Sequence, residues 1–152
     1  MRIATEILIG KYRDSVFALS FCICKDREDA DDVVQEVFVK YHFSGKEFES
    51  ERHIHSWLCK VAVNLSRNRV KCFWRSHKES IEEYKKTLSF GTEEDGELFS
   101  AVMSLPRKYR TALHLHYFEG YSVKEISKML GISESNAKAR LSRGRKALKS
   151  II

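Results

Sequence analysis

The chain has 152 residues, 43% of them hydrophobic and 32% charged, and a formal net charge of +6. That balance supports a folded core and excludes wholesale disorder, and the length suffices for one ordinary domain or two small helical ones. No run approaches the roughly 20 apolar residues a membrane span needs and no uninterrupted apolar signal opens the chain, so a cytoplasmic location without membrane insertion is expected.

In chain order, residues 8–24 carry Tyr12, Val16, Ala18, Leu19 and Cys22 at mostly helical spacing. Residues 29–41 open with acids, favourable at a helix start, and place Val33, Val34, Val37, Phe38 and Tyr41 three and four apart, which predicts a second helix. Residues 43–52 contain Gly45 and mix polar with aromatic side chains, so a loop is expected there. Residues 54–74 are periodic again through Trp57, Leu58, Val61, Ala62 and Leu65. Each of these helices supplies an apolar face to one shared core.

Charge divides this first half. Residues 26–36 hold six acids and one base, a patch that disfavours DNA and suits a basic protein surface. Residues 57–75 hold Lys60, Arg67, Arg69, Lys71 and Arg75 and no acid, with Phe73 and Trp74 free either to stack on bases or to pack. Cys22, Cys24, Cys59 and Cys72 form no CxxC pair. His53 and His55 lie two apart and so cannot share a helix face, which leaves buried or incidental thiols rather than a metal site. A reducing compartment fits that usage.

Residues 76–97 read as an acidic linker holding Gly91 and the run Glu93, Glu94, Asp95, with a short helix at 81–88 as the rival. From 101 onward there are 11 Lys/Arg against 3 Asp/Glu, a density that points to a polyanionic partner. Pro106 suits the first turn of a helix over 106–120 that carries Tyr109, Leu113, His116 and Tyr117. Tyr109 and Phe118 are expected to pack against the two helices that follow. His114 and His116 lack an acid arranged with them for catalysis and are read as core or surface residues.

Ser122 and Glu125 form a capping-box pattern, Ile126, Met129 and Leu130 an apolar face, and Gly131 a helix stop. Ser133 then caps a helix through Ala137, Leu141 and Leu148. Helix, sharp turn and helix in under about 30 residues is the arrangement that presents its second helix to a DNA major groove. Residues near the start of such a helix meet base edges, which selects Glu134, Ser135, Asn136, Lys138 and Arg140. Arg143, Arg145 and Lys146 follow as phosphate contacts, and Ser133 is counted with the same surface.

With these residues in view the chain, over about 12–148, resembles the extracytoplasmic-function class of bacterial RNA polymerase sigma factors, of the sigma-70 family. The run Asp29-Ala-Asp-Asp-Val-Val-Gln-Glu-Val-Phe38 looks like the family's core-polymerase helix, and Ile54-His-Ser-Trp-Leu-Cys-Lys-Val-Ala-Val-Asn64 like its promoter-melting helix. The stretches 105–113 and 121–133 resemble its −35 domain, and 43–52 occupies the place of the loop that captures a flipped −10 base. One position departs: an acid common in the family four residues after the asparagine is Asn68 here.

The resemblance implies an all-α protein: residues 1–75 a region 2-like domain, 76–97 a flexible linker, 98–152 a region 4-like helix-turn-helix domain. It assigns Asp29, Asp31, Asp32, Gln35, Glu36 and Phe38 to core polymerase. Lys46, Asn64, Arg67, Arg69, Lys71, Phe73 and Trp74 go to unpaired −10 DNA, and the set from Ser133 to Lys146 to duplex at −35. Core RNA polymerase, promoter DNA and an anti-sigma factor are the implied partners. With no metal set, Gly-rich phosphate loop or nucleophile–base pair, neither an enzyme nor a cofactor is expected. A stand-alone helix-turn-helix regulator with an N-terminal sensing or dimerisation domain is the rival function.

Overall fold

The computed structural model describes residues 1–72 and 93–151, with side chains over 1–70 and 96–151. Every element among the described residues is helical, and the chain divides into two compact units, residues 1–74 and 75–152. The centre of the expected linker, together with Phe73 and Trp74, lies outside the described residues.

The N-terminal unit is built from α1 (Thr5–Cys24), α2 (Arg27–Ser44) and α3 (Glu51–Cys72). All three pairs of helices touch. Leu8, Val16, Leu19, Ile23, Val33, Val37, Tyr41, Ile54, Leu58 and Ala62 are sealed from solvent between them. Asp26 starts α2, its carboxylate accepting the Glu28 N–H at 2.9 Å, so this helix begins two residues before the predicted one. It ends at Gly45, whose φ of 63° is the left-handed closure that favours glycine. The loop is correspondingly shorter than expected. Ser50 accepts the His53 N–H at 3.1 Å and opens α3. Lys11 and Tyr12 both donate to Glu51, tying α1 to the first turn of α3.

Cys22 and Cys59 are buried and Cys24 is partly so. Burial pushes the Cys24 thiol up to about 11, so it stays protonated at neutral pH. His53 accepts from the Glu49 N–H while His55 faces Tyr12 and Ser15. The two rings diverge, as residues two apart on a helix must.

The C-terminal unit contains α4 (Glu93–Met103), α5 (Arg107–Leu113) running into a π-helical turn (His114–Phe118), α6 (Val123–Leu130) and α7 (Glu134–Ile151). Helix α4 starts inside the stretch expected as linker, and it is held because Phe99, Ala101, Val102 and Met103 are buried. Pro106 precedes α5 as an extended cap instead of lying in its first turn. The π turn is closed by the Glu119 N–H on the His114 carbonyl at 3.1 Å. Within this unit α5 and α6 both pack on α7. No helix among the described residues is long and apolar enough to cross a membrane.

Candidate nucleic-acid and protein interfaces

The helix-turn-helix is set by side chains close in sequence. Ser122 accepts the Glu125 N–H at 3.2 Å while the Glu125 carboxylate accepts the Ser122 N–H at 3.0 Å. Gly131 closes α6 at φ 68°, and the Ser133 hydroxyl accepts the Asn136 N–H at 3.0 Å to open α7. These are the caps the sequence predicts. On α7, Ala137, Leu141 and Gly144 are buried at spacings of four and three, which pins one face to the unit and turns the remainder outward. Glu134, Ser135, Asn136, Lys138, Arg143, Arg145 and Lys146 are exposed, and Arg140 is half-buried. The outward face of α7 carries six Lys/Arg and one acid, including Lys149, which the sequence reading left out.

Arg145 also donates to the Tyr117 hydroxyl at 3.2 Å, so it belongs to a surface shared with the π turn. There Tyr117, Phe118, Leu98, Val102 and Leu148 wall an apolar groove of about 310 Å³, with Arg145 and Lys149 at its rim. Phe118 is 46% exposed, stacked on His114 at 5.1 Å, and does not pack into the motif as expected. The π turn rotates it outward, a shift of register that spacing alone did not reveal. Tyr109 does lie beside α7 at Gly144. His114 is buried 3.4 Å from Glu119, and His116 donates from Nδ1 to the Tyr121 carbonyl at 2.8 Å. Both histidines brace the turn.

In the N-terminal unit the acidic helix α2 offers only part of its predicted contact set. Asp32, Gln35 and Glu36 are exposed and Asp31 is half-buried. Asp29 and Phe38 are buried, Asp29 against Arg69 and Phe38 as the floor of a groove between α1 and α2. On the outward side the stripe Asp32, Gln35, Glu36 continues at helical spacing into exposed Val39 and Phe43, the latter 79% exposed. Ile9 and Arg13 of α1 form the other wall of that groove, about 360 Å³ in volume.

Helix α3 sorts the predicted −10 residues by face. Lys60, Asn64 and Arg67 follow at intervals of four and three and lie on one side, with Lys60 and Asn64 exposed and Arg67 half-buried. Lys71 continues that spacing, although its side chain lies outside the described part. Arg69 falls about half a turn away and reaches Asp29 at 3.2 Å and Asp32 at 3.3 Å. It is a link between α3 and α2, on a different side of the helix from Lys60, Asn64 and Arg67. Trp57, in contrast, meets Tyr41 and Phe48 edge-on at 6.2 and 5.9 Å.

Between α2 and α3, Lys46 is exposed with its ammonium 5.8 Å from the Phe48 ring centre. Phe48 is buried against Tyr41 and Trp57, so the 45–50 loop hangs on an aromatic plug and presents Lys46, Glu47 and Glu49 to solvent.

Residues 8–76 match the family model for sigma-70 region 2, and residues 95–148 the model for sigma-70 region 4. The chain is 37% identical over 136 residues to the RNA polymerase sigma factor SigZ of Bacillus subtilis, covering 84% of this chain and 74% of that protein. It is 25% identical over 159 residues to the ECF RNA polymerase sigma factor SigW of the same organism, covering 93% and 85%. Its fold resembles that of the sigma factor RpoE from Bartonella quintana, solved with the anti-sigma factor NepR, at a TM-score of 0.75 with 18% identity, covering 95% of this chain and 94% of the other. CnrH, solved with the cytosolic domain of CnrY, superposes at 0.67 with 23% identity, covering 97% and 86%. With both regions matched in order and a relative of this identity along most of its length, the chain belongs to the sigma-70 family of RNA polymerase sigma factors, in the extracytoplasmic-function class.

Proposed function

We propose that this sigma factor docks on core RNA polymerase through α2, reads duplex DNA at −35 with α7, and holds the unpaired −10 strand with α3 and the 45–50 loop. The observation that carries the reading is the opposite chemistry of two outward stripes: acidic and apolar on α2, basic on α7. An acidic–apolar surface fits a protein partner and is repelled by phosphate, whereas six cations on one helix neutralise phosphate and place side chains at base edges. In this division of labour Asp31, Asp32, Gln35, Glu36, Val39 and Phe43 meet polymerase. Ser133 caps the reading helix, Glu134 to Arg140 meet bases, and Arg143, Arg145 and Lys146 meet phosphate. Lys46, Lys60, Asn64, Arg67 and Lys71 follow the melted strand. Residues 1–75 act as the polymerase and −10 domain, and 98–152, extended back to α4, as the −35 domain.

A sigma factor is not an enzyme; the polymerase makes and breaks the bonds. An anti-sigma factor is proposed as a further partner, since the similar RpoE was solved with one and each unit here exposes an apolar groove that a protein could cover. The deciding experiment mixes the purified chain with core polymerase and a randomised promoter library. Specific initiation from a recurring pair of elements is expected. Tight operator binding without polymerase, and no stimulated initiation, would instead make it a stand-alone regulator.

A further inference from the structure

The segment before α1 packs on the loop at the far end of α2. The Arg2 guanidinium lies over the Tyr41 ring, 4.3 Å from its centre, and donates to the carbonyls of Tyr41 and His42 (the latter at 3.1 Å) in the last turn of that helix. Its other nitrogen reaches past the helix end to the Lys46 carbonyl at 3.1 Å and the Ser44 hydroxyl at 3.4 Å. One residue back, the Met1 carbonyl accepts the Phe48 N–H at 3.0 Å. One residue on, Ile3 and the buried Tyr41 hydroxyl exchange two hydrogen bonds of 3.0 and 2.7 Å.

The last carbonyls of a helix have no backbone partner within it and form the negative end of its dipole, so a cation there is favourable. A planar fork bridges several acceptors at once, which a point charge on a flexible stem does less well. Arg2 uses that geometry across a boundary: the same guanidinium holds the end of α2 and a backbone carbonyl inside the 45–50 loop. Phe48 plugs the loop from below while Lys46, Glu47 and Glu49 stay exposed. The result is a surface loop whose backbone is fixed from both sides before any ligand arrives.

We propose that Arg2 is a positioning residue for −10 recognition, setting the backbone of the 45–50 loop so that its exposed groups meet an extruded base without first being ordered. The proposal rests on the reading of that loop as a −10 contact. Holding a binding loop in its bound shape raises affinity by removing the cost of ordering it, and it raises selectivity because a fixed backbone cannot shift to accommodate a wrong base. Arg2 therefore contributes to promoter choice without touching DNA.

The test uses holoenzyme assembled from core polymerase and the full chain. The probe is forked DNA with a paired −35 and an unpaired non-template −10, taken from a promoter selected by the wild-type chain, together with versions altered one unpaired base at a time. Arg2→Ala is expected to keep its affinity for core polymerase and to lose about threefold to tenfold in discrimination between the selected and altered bases. Arg2→Lys, which keeps the charge but not the fork, should fall between the two. A uniform loss on every probe and on core binding marks a merely structural role and overturns the proposal. So does unchanged discrimination in Arg2→Ala when Lys46→Ala, Glu47→Ala or Glu49→Ala alters it. If none of those loop substitutions shifts discrimination, the −10 reading of the loop itself fails, and the proposal falls with it.

Discussion

Arg69 shows how much a single charge depends on its neighbours. It sits in a run of bases on α3, yet its guanidinium is spent on Asp29 and Asp32 of α2, and the Asp29 side chain is only 7% exposed. Arg69→Ala removes one charged partner of a nearly buried carboxylate, so the N-terminal unit should lose about 1–3 kcal/mol. Lys60→Ala, at an exposed position on the side proposed for the −10 strand, should leave stability nearly unchanged and weaken −10 binding; urea titrations beside oligonucleotide binding separate the two. Glu51 gives a pH test. The hydrogen bond from Lys11, followed by that from Tyr12, holds its carboxyl below the ordinary 4.5. A lowered carboxylate contributes stability that is complete above the unfolded value and disappears as pH falls through the folded one. The stability gap between wild type and Glu51→Gln should thus persist at neutral pH and close below about 4.5 in pH-stepped urea melts.

At the scale of elements, α7 keeps a glycine in its interior at a cost of about 1 kcal/mol in helix propensity. A Cβ on Gly144 would lie 3.0 and 3.1 Å from Cδ1 and Cγ of Leu113, a buried side chain on the wall of the groove beside the π turn. Overpacking costs about 1–3 kcal/mol, so Gly144→Ala should destabilise the C-terminal unit by up to about 2 kcal/mol despite the better propensity. Chemical denaturation followed by a probe in that unit would reveal a stabilised variant if Leu113 can give way. On the outward side of the same helix, Arg140→Ala should change which −35 sequences are preferred. Arg145→Ala should weaken many sequences alike and lower the salt slope by about 1. Equal, non-selective losses from both, in binding across a sequence panel, would remove Arg140 from the base-contacting set.

Across the whole molecule the net charge of +6 conceals two surfaces of opposite sign, each set on its own unit. Reversing an exposed acid on α2 should therefore act on one partner only. Glu36→Arg is expected to weaken core-polymerase binding by at least about tenfold, through repulsion from a basic docking surface, while duplex −35 binding stays at the wild-type level. Measuring both on the same preparation distinguishes a docking defect from misfolding.

The sequence by itself determined what depends on neighbours within four residues. The capping box of Ser122 and Glu125, the stop at Gly131, the cap at Ser133, the apolar period of α1 to α3 and the charge of each stretch were all legible, because each rests on helical spacing and local hydrogen bonds. Helix starts were legible only to within a few residues, and α4 was hidden because its acidic first turn resembles linker while its apolar end counts only once packed. Tertiary structure alone decided which charges face solvent. Arg69 finds Asp29 some 40 residues away, Phe38 sinks into a groove floor, the π turn swings Phe118 outward, and Arg2 closes over a helix end that no local pattern connects to it. Such contacts depend on how the helices lie against one another, and a side chain's own spacing carries no record of what the fold brings to face it.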